Sequence, residues 1–153
     1  SMDINIDDLS SIDIAELLAE HMAGMAELSP PESIHALDIE KLKQPEITFW
    51  SARIEDQLAG CGALKEISPD HGEVKSMRTA SQFKRQGVAN NLLAVILATA
   101  KSRGYKRVSL ETGSMAGFAP ARTLYEKHGF AYCPPFGDYQ LDPNSVFMTK
   151  EIL

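Results

Sequence analysis

From Gln86 to Arg103 the chain is apolar almost all round, with Val88, Leu92, Leu93, Val95, Ile96 and Leu97 leaving little polar face. A helix of that kind is normally buried against a sheet, and 153 residues are enough for one substantial core. Just ahead of it stands Lys84-Arg85-Gln86-Gly87-Val88-Ala89. A glycine-containing turn that opens a helix aims free backbone N–H groups outward at the positive end of the helix dipole, which is a seat for phosphate.

Strands for the sheet are legible on both sides of this helix. Residues 47–54 and 58–67 are strand-like, with Glu55-Asp56-Gln57 as a hairpin link. Residues 72–79 form a third strand. Strict alternation puts Val74, Ser76 and Arg78 on one face and Glu73, Lys75, Met77 and Thr79 on the other. Residues 106–112 return to strand after Gly104, a natural helix stop. Pro120 opens a short helix through His128, with Ala121, Leu124 and Tyr125 on one side and Gly129 ending it. Residues 130–133 and 145–152 read as closing strands, joined by the loop Pro134-Pro135-Phe136-Gly137-Asp138-Tyr139.

At the other end, residues 2–7 suit an edge strand. Ser10 followed by Asp13 resembles a capping box, with Leu9 able to staple onto Ile14. Ile14, Leu17, Leu18, Met22 and Met25 continue at helical spacing to about residue 27, the two methionines reading as core filler. Ser29-Pro30-Pro31 breaks this helix, and residues 33–42 suggest a second one carrying Ile34, Leu37 and Leu42. The order β-α-α-β-β-β-α-β-α-β-β implies an α/β single domain: a mixed, mostly antiparallel central sheet with helices on both faces. Where neighbouring strands of such a sheet diverge, a cleft opens at their C-terminal ends.

The net charge of -6 argues against nucleic acid as a main partner, although Lys75, Arg78, Lys84 and Arg85 offer a local basic pocket. No apolar run approaches the ~20 residues of a membrane span, and no signal peptide is visible. Cys61 and Cys133 lack ligand spacing and fit a reduced, cytoplasmic setting as buried thiols. His21, His35, His71 and His128 form no metal-ligand pattern, so no metal is expected.

Lys84 to Ala89 resembles the [QR]-x-x-G-x-[GA] pyrophosphate loop of the GNAT N-acetyltransferase superfamily, and Ala121-Arg122-Thr123-Leu124-Tyr125-Glu126-Lys127-His128-Gly129-Phe130 resembles its second signature, A-x-x-L-Y-x-x-x-G-F. The likeness covers roughly residues 45–153 in order and spacing, with 1–44 as a variable, acceptor-side segment. It implies the acyl-CoA N-acyltransferase fold and acetyl-CoA as cosubstrate. The amides of Gln86, Gly87, Val88 and Ala89, with Lys84 and Arg85 nearby, would take the pyrophosphate. The backbone of Met77, Arg78 and Thr79 would pair with the pantetheine arm as an added strand or polarise the thioester carbonyl. Ala121 belongs to the same cofactor wall, as does Phe118, which stands where an Asn often begins the second signature. Lys84 likewise replaces the usual Arg or Gln.

The resemblance makes Tyr125 the acid that protonates the departing thiolate, a role suited to a phenol that is neutral at pH 7. Glu73 is the candidate base, with Glu111 on the neighbouring strand as the alternative carboxylate. His35 falls in the segment that would roof the acceptor site, and Trp50, Phe49 and Phe136 are candidate pocket walls. The compact length and short roof favour a small-molecule primary amine. A protein N-terminus or lysine as acceptor, or a non-catalytic acyl-CoA-binding or sensing module, are the alternatives. The 145–152 strand is the expected contact of a homodimer.

Overall fold

The computed structural model describes residues 1–28 and 39–152, with backbone alone for 21–28. Its elements run β1 (Met2–Ile6), α1 (Ile12–Leu28), α2 (Ile39–Leu42), β2 (Ile47–Ile54), β3 (Gln57–Ser68), β4 (His71–Thr79), α3 (Val88–Ser102), β5 (Arg107–Gly113), α4 (Ala119–Lys127), β6 (Ala131–Cys133) and β7 (Ser145–Glu151). The expected element order therefore holds among the described residues. The expected start of the second helix at 33–38, and His35 with it, lie outside them; so do the side chains of Met22 and Met25.

A seven-stranded sheet in the order β1-β2-β3-β4-β5-β7-β6 organises the molecule. Every pairing is antiparallel except β4 with β5. The β2–β3 link turns at Glu55 and Asp56, both at positive φ, the conformation that matches strand twist in a two-residue hairpin. Helices α3 and α4 cover one face, where Leu92, Leu93 and Ile96 meet Leu64, Val74, Val108, Leu110 and Met148. Helices α1 and α2 cover the other, where Ile14, Leu17, Leu18 and Leu42 meet Phe49, Cys61 and Ala63. Burying these side chains is worth roughly 1.5–3 kcal/mol each, which makes the two-layered sheet the frame for everything else.

Three local readings need correction. The alternation along β4 breaks at Ser76, which takes φ 56 and lies in a bulge between the pairs Ala63↔Lys75 and Cys61↔Arg78. The extra residue turns Met77 onto the face of Val74, against Gly62 and the α3 core, and leaves Arg78 on the face of Glu73 and Lys75. Helix α1 starts at Ile12, later than a Ser10 cap implies. Ser10 bonds back to Asp8, and Asp13 is taken by Ser11 and Arg53. Finally, β7 lies between β5 and β6, so over Phe147–Thr149 both its edges are paired; the edge strand on that side is the short β6.

Candidate active site

After β4 the chain bonds Ala80 N–H to Ala59 O, makes a 3-10 turn at Ser81–Phe83 and runs extended through Lys84. Arg85 at φ 65 and Gly87 at φ 81 then reverse it into α3, whose first helical bond is Asn91 N–H to Gly87 O. The backbone amides of residues 84–90 consequently find no acceptor among the described residues. Residues 84–87 are exposed, and a Cβ on Gly87 would meet nothing within 4 Å. A row of open donors at a helix start is the geometry that receives an anion. Gly60 seats this loop: a Cβ there would fall 2.6 Å from Arg78 O and 2.7 Å from Val88 Cγ1, so β4 and the start of α3 close over a residue without a side chain.

The strands part beside the loop. Pairing of β4 with β5 runs from His71↔Arg107 to Val74↔Leu110 and stops. Beyond it β4 pairs only with β3, and Glu111–Gly113 of β5 only with β7. The bulge at Ser76 bends β4 away at that point, leaving one main-chain edge from Lys75 to Thr79 available to an added strand.

On the α1 face of the sheet a polar cluster lies at this divergence. Glu73 Oε2 accepts from Tyr139 Oη at 2.6 Å and from Lys75 Nζ at 2.9 Å, and Lys75 Nζ also reaches Tyr139 Oη at 3.0 Å. The ion pair is enclosed, its side chains 9% and 5% exposed. Burial, then the Glu73 charge, holds the Tyr139 phenol far above its ordinary pKa. Phe136 and Phe147 pack on the Tyr139 ring. Further along, His71 Nε2 meets Ser109 Oγ at 2.7 Å and Ser109 meets Thr149 Oγ1 at 2.9 Å. Burial and then Arg107 depress the His71 pKa. Arg78, half-buried on the same face, keeps an enclosed Nε without a partner.

Tyr125 comes from α4, which Pro120 helps to start and Gly129 ends at φ 92. Its ring is 7% exposed, edge-on to Phe130 and continuous with the α3 core. Burial first, then the charge of Glu111, raises its pKa, so the phenol stays protonated. The Glu111 charge also contributes to the raised pKa of Tyr139. Ala121 packs on the same core, and the Phe118 ring lies against Gly113, where a Cβ would clash with it. His128, at the end of α4, bonds Asn90 at 2.8 Å, and burial lowers its pKa.

The structure thus gathers the loop of Lys84–Ala89, the free edge of Met77–Thr79, Glu73 and Glu111 around the parting of β4 and β5, with Tyr125 on the helical side. The expected basic pocket is split, because Lys75 is spent on Glu73. Phe136 enters the polar cluster, whereas Trp50 and Phe49 are buried in the cores on the α3 and α1 sides of the sheet. Sequence reasoning missed Tyr139, visible only as one aromatic in a proline-bounded loop, and Arg122, whose Nη1 donates to Gly113 O and Met115 O at 2.7 and 2.9 Å. Among the described residues no cluster of His, Cys, Asp and Glu could hold a metal ion, and no helix is long and apolar enough to cross a membrane.

Comparison with known proteins agrees with this geometry. Residues 13–130 match the family model described as Acetyltransferase (GNAT) family. The N-acetyltransferase YsnE of Bacillus subtilis strain 168, itself uncharacterized, is 60% identical over 151 residues, covering 99% of this chain and 100% of that one. The similarly uncharacterized N-acetyltransferase YedL of Escherichia coli K12 is 53% identical over 146 residues, covering 95% and 92%. A solved structure from Klebsiella pneumoniae, provisionally assigned as an acyl-CoA N-acyltransferase, matches with a TM-score of 0.81 at 26% identity, over 99% of this chain and 98% of that one. With both signatures in place around one cleft and similarity of this extent, the chain belongs to the acetyltransferase (GNAT) family.

Proposed function

We propose that this N-acetyltransferase transfers the acetyl group of acetyl-CoA to the primary amine of a small molecule, both reactants meeting in the cleft between β4 and β5. The observation that carries the reading is the pairing of a parted sheet with open amides: residues 84–90 offer donors with no acceptor among the described residues, directly beside an unpaired edge of β4. Those donors suit a diphosphate, Lys84 and Arg85 add charge, and the edge from Met77 to Thr79 suits the amide-bearing pantetheine arm. Phe118 and Ala121 close that wall. Residues 45–153 would carry the donor, and residues 1–44 would shape the acceptor side.

Acetyl-CoA, when bound, supplies an acyl group on a thiol leaving group. The chain's own groups then divide the proton work. Glu73 Oε1 takes a proton from the incoming ammonium, directly or through water, leaving a neutral amine to attack. A main-chain N–H of Met77 or Arg78 steadies the carbonyl oxygen. Tyr125 holds its proton at Oη for the sulfur as the C–S bond breaks, and regains one from solvent once the new amide nitrogen has shed its own. Holding both reactants in one cleft contributes the orientation on which such reactions depend.

The test is incubation with acetyl-CoA and a panel of small primary amines and peptides, with thiol release measured. Release with amines but not peptides is expected. Release with peptides alone would move the acceptor to protein, and tight CoA binding without release from any acceptor would replace the enzyme by a sensing module.

A further inference from the structure

The triangle of Glu73, Lys75 and Tyr139 does more than bury an ion pair. Both donors converge on one carboxylate oxygen, Oε2. The other oxygen, Oε1, accepts no hydrogen bond among the described residues, and it is not one of the enclosed unpartnered atoms, which there are Arg78 Nε and Ser145 Oγ. One oxygen is anchored and the other is open. Tyr139 can supply this anchor with precision because its own ring is fixed. Its N–H bonds Phe136 O at 3.1 Å, and its ring meets Phe136 at 5.1 Å and Phe147 at 5.5 Å between centroids. Its single proton goes to Glu73, since Lys75 can only donate to the phenol oxygen.

We propose that Tyr139 is a positioning residue for the Glu73 carboxylate, locking Oε2 so that Oε1 faces the acceptor amine. The inference rests on the reading of Glu73 as the proton acceptor. Among the described residues the other charges around Glu73 on this side of the sheet are Lys75 and Arg78 on the same strand, Lys65 opposite it on β3, His71 two residues earlier and Glu111 on β5. On α1, Glu16 and Glu20 are exposed; in the loop before β7, Asp138 is exposed and Asp142 is engaged with the Asn144 amide. None of these duplicates the Tyr139 hydroxyl.

The experiment uses the full chain and Tyr139→Phe, which keeps the ring and removes the donor. kcat and KM are measured for the fastest amine of the panel and for acetyl-CoA in the parent, Tyr139→Phe, Glu73→Gln and the double variant. In Tyr139→Phe, kcat/KM for the amine is expected to fall about 5- to 30-fold with KM for acetyl-CoA unchanged, and adding Tyr139→Phe to Glu73→Gln should cost little more, because the two residues act as a unit. Replacement of Tyr139 by 4-fluorophenylalanine, which fills the place of the hydroxyl without a donor, should act likewise and covers the case in which Tyr139→Phe does not fold. Full turnover in both Tyr139 variants, or an equal added loss on the Glu73→Gln background, would overturn the positioning role while a loss in Glu73→Gln alone kept Glu73 as base. Unchanged turnover in Glu73→Gln would overturn both.

Discussion

Arg122 Nη1 donates a 2.7 Å hydrogen bond to the carbonyl of Gly113, fastening the helix that carries Tyr125 to the end of the strand that carries Glu111. The same atom reaches Met115 O at 2.9 Å, so one half-buried guanidinium spans the connection between β5 and α4. Arg122→Met keeps most of the packing volume and strands two carbonyls. Unfolding in urea should show a loss of about 2 kcal/mol. A change below a few tenths would mean that water replaces the guanidinium at no cost.

Gly87 is a different kind of weak point. Its Cβ position is empty space, yet φ 81 is a conformation that a side chain resists, most of all a β-branched one. Gly87→Val should cost about 1–2 kcal/mol if the turn is kept; if the turn relaxes instead, the amides of Val88 and Ala89 re-aim. Calorimetric titration is expected to show CoA affinity falling at least about tenfold, roughly the worth of one charge-assisted hydrogen bond. Unaltered affinity would remove this loop from the coenzyme site.

Much of this arrangement is legible in the sequence. The all-round apolar α3 demanded a sheet, the glycine turn before it marked an anion seat, and two signatures at fixed separation placed both around one cleft. What could not be read depended on contacts made far along the chain. Strict alternation misassigned Met77 and Arg78 because nothing local at Ser76 announces a bulge; the extra residue becomes necessary only where β4 leaves β5. Tyr139 meets Glu73 across 66 residues through a loop whose sequence offers only prolines, a glycine, an aspartate and aromatics. Lys75 looked like part of a phosphate-binding patch because its charge was counted before its partner was known.

Cys61 invites the idea of an acyl-carrying thiol, since it lies opposite Arg78 on the bulged stretch of β4. Burial pushes its pKa up to about 12, against a smaller downward pull from Arg78, and its Sγ donates to Ser76 O. Near pH 8 only about one thiol in ten thousand is then thiolate, and it is shielded from reagent. In a Cys133→Ser background, labelling by a thiol reagent should proceed at the rate of unfolding. Cys61→Ala should leave turnover intact. Stoichiometric acetylation of Cys61 would contradict the direct transfer proposed above.

Arg53 pins α1 to β2 by reaching both oxygens of Asp13, at 2.7 and 3.1 Å. With Ser11 it draws the Asp13 pKa down from 3.8 to about 2. The folded value lies below the unfolded one, so the stabilisation is fully present above pH 4 and is lost as pH falls towards 2. Asp13 is 43% exposed on its side chain, which limits the effect to less than about 1 kcal/mol. Urea midpoints at pH 5 and pH 3 should therefore differ less in Asp13→Asn than in the parent protein. Equal differences in the two proteins would show the pair to be energetically silent.

Tyr125 is the sharpest test of the mechanism, because burial works on it in two directions. A phenol whose pKa is raised is a weaker acid, and would give its proton to an ordinary exposed thiolate only uphill. Burial raises the proton affinity of a thiolate as well, so a sulfur released beside this phenol would be brought closer to it in proton affinity, the condition under which a positioned acid is useful. Tyr125→Phe keeps the ring and its edge contact with Phe130, so the fold and CoA affinity should change little while turnover falls about 10- to 1000-fold. A parallel loss of affinity would reduce the hydroxyl to a cofactor contact. Unchanged turnover would mean that solvent protonates the sulfur, and the buried phenol would be core alone.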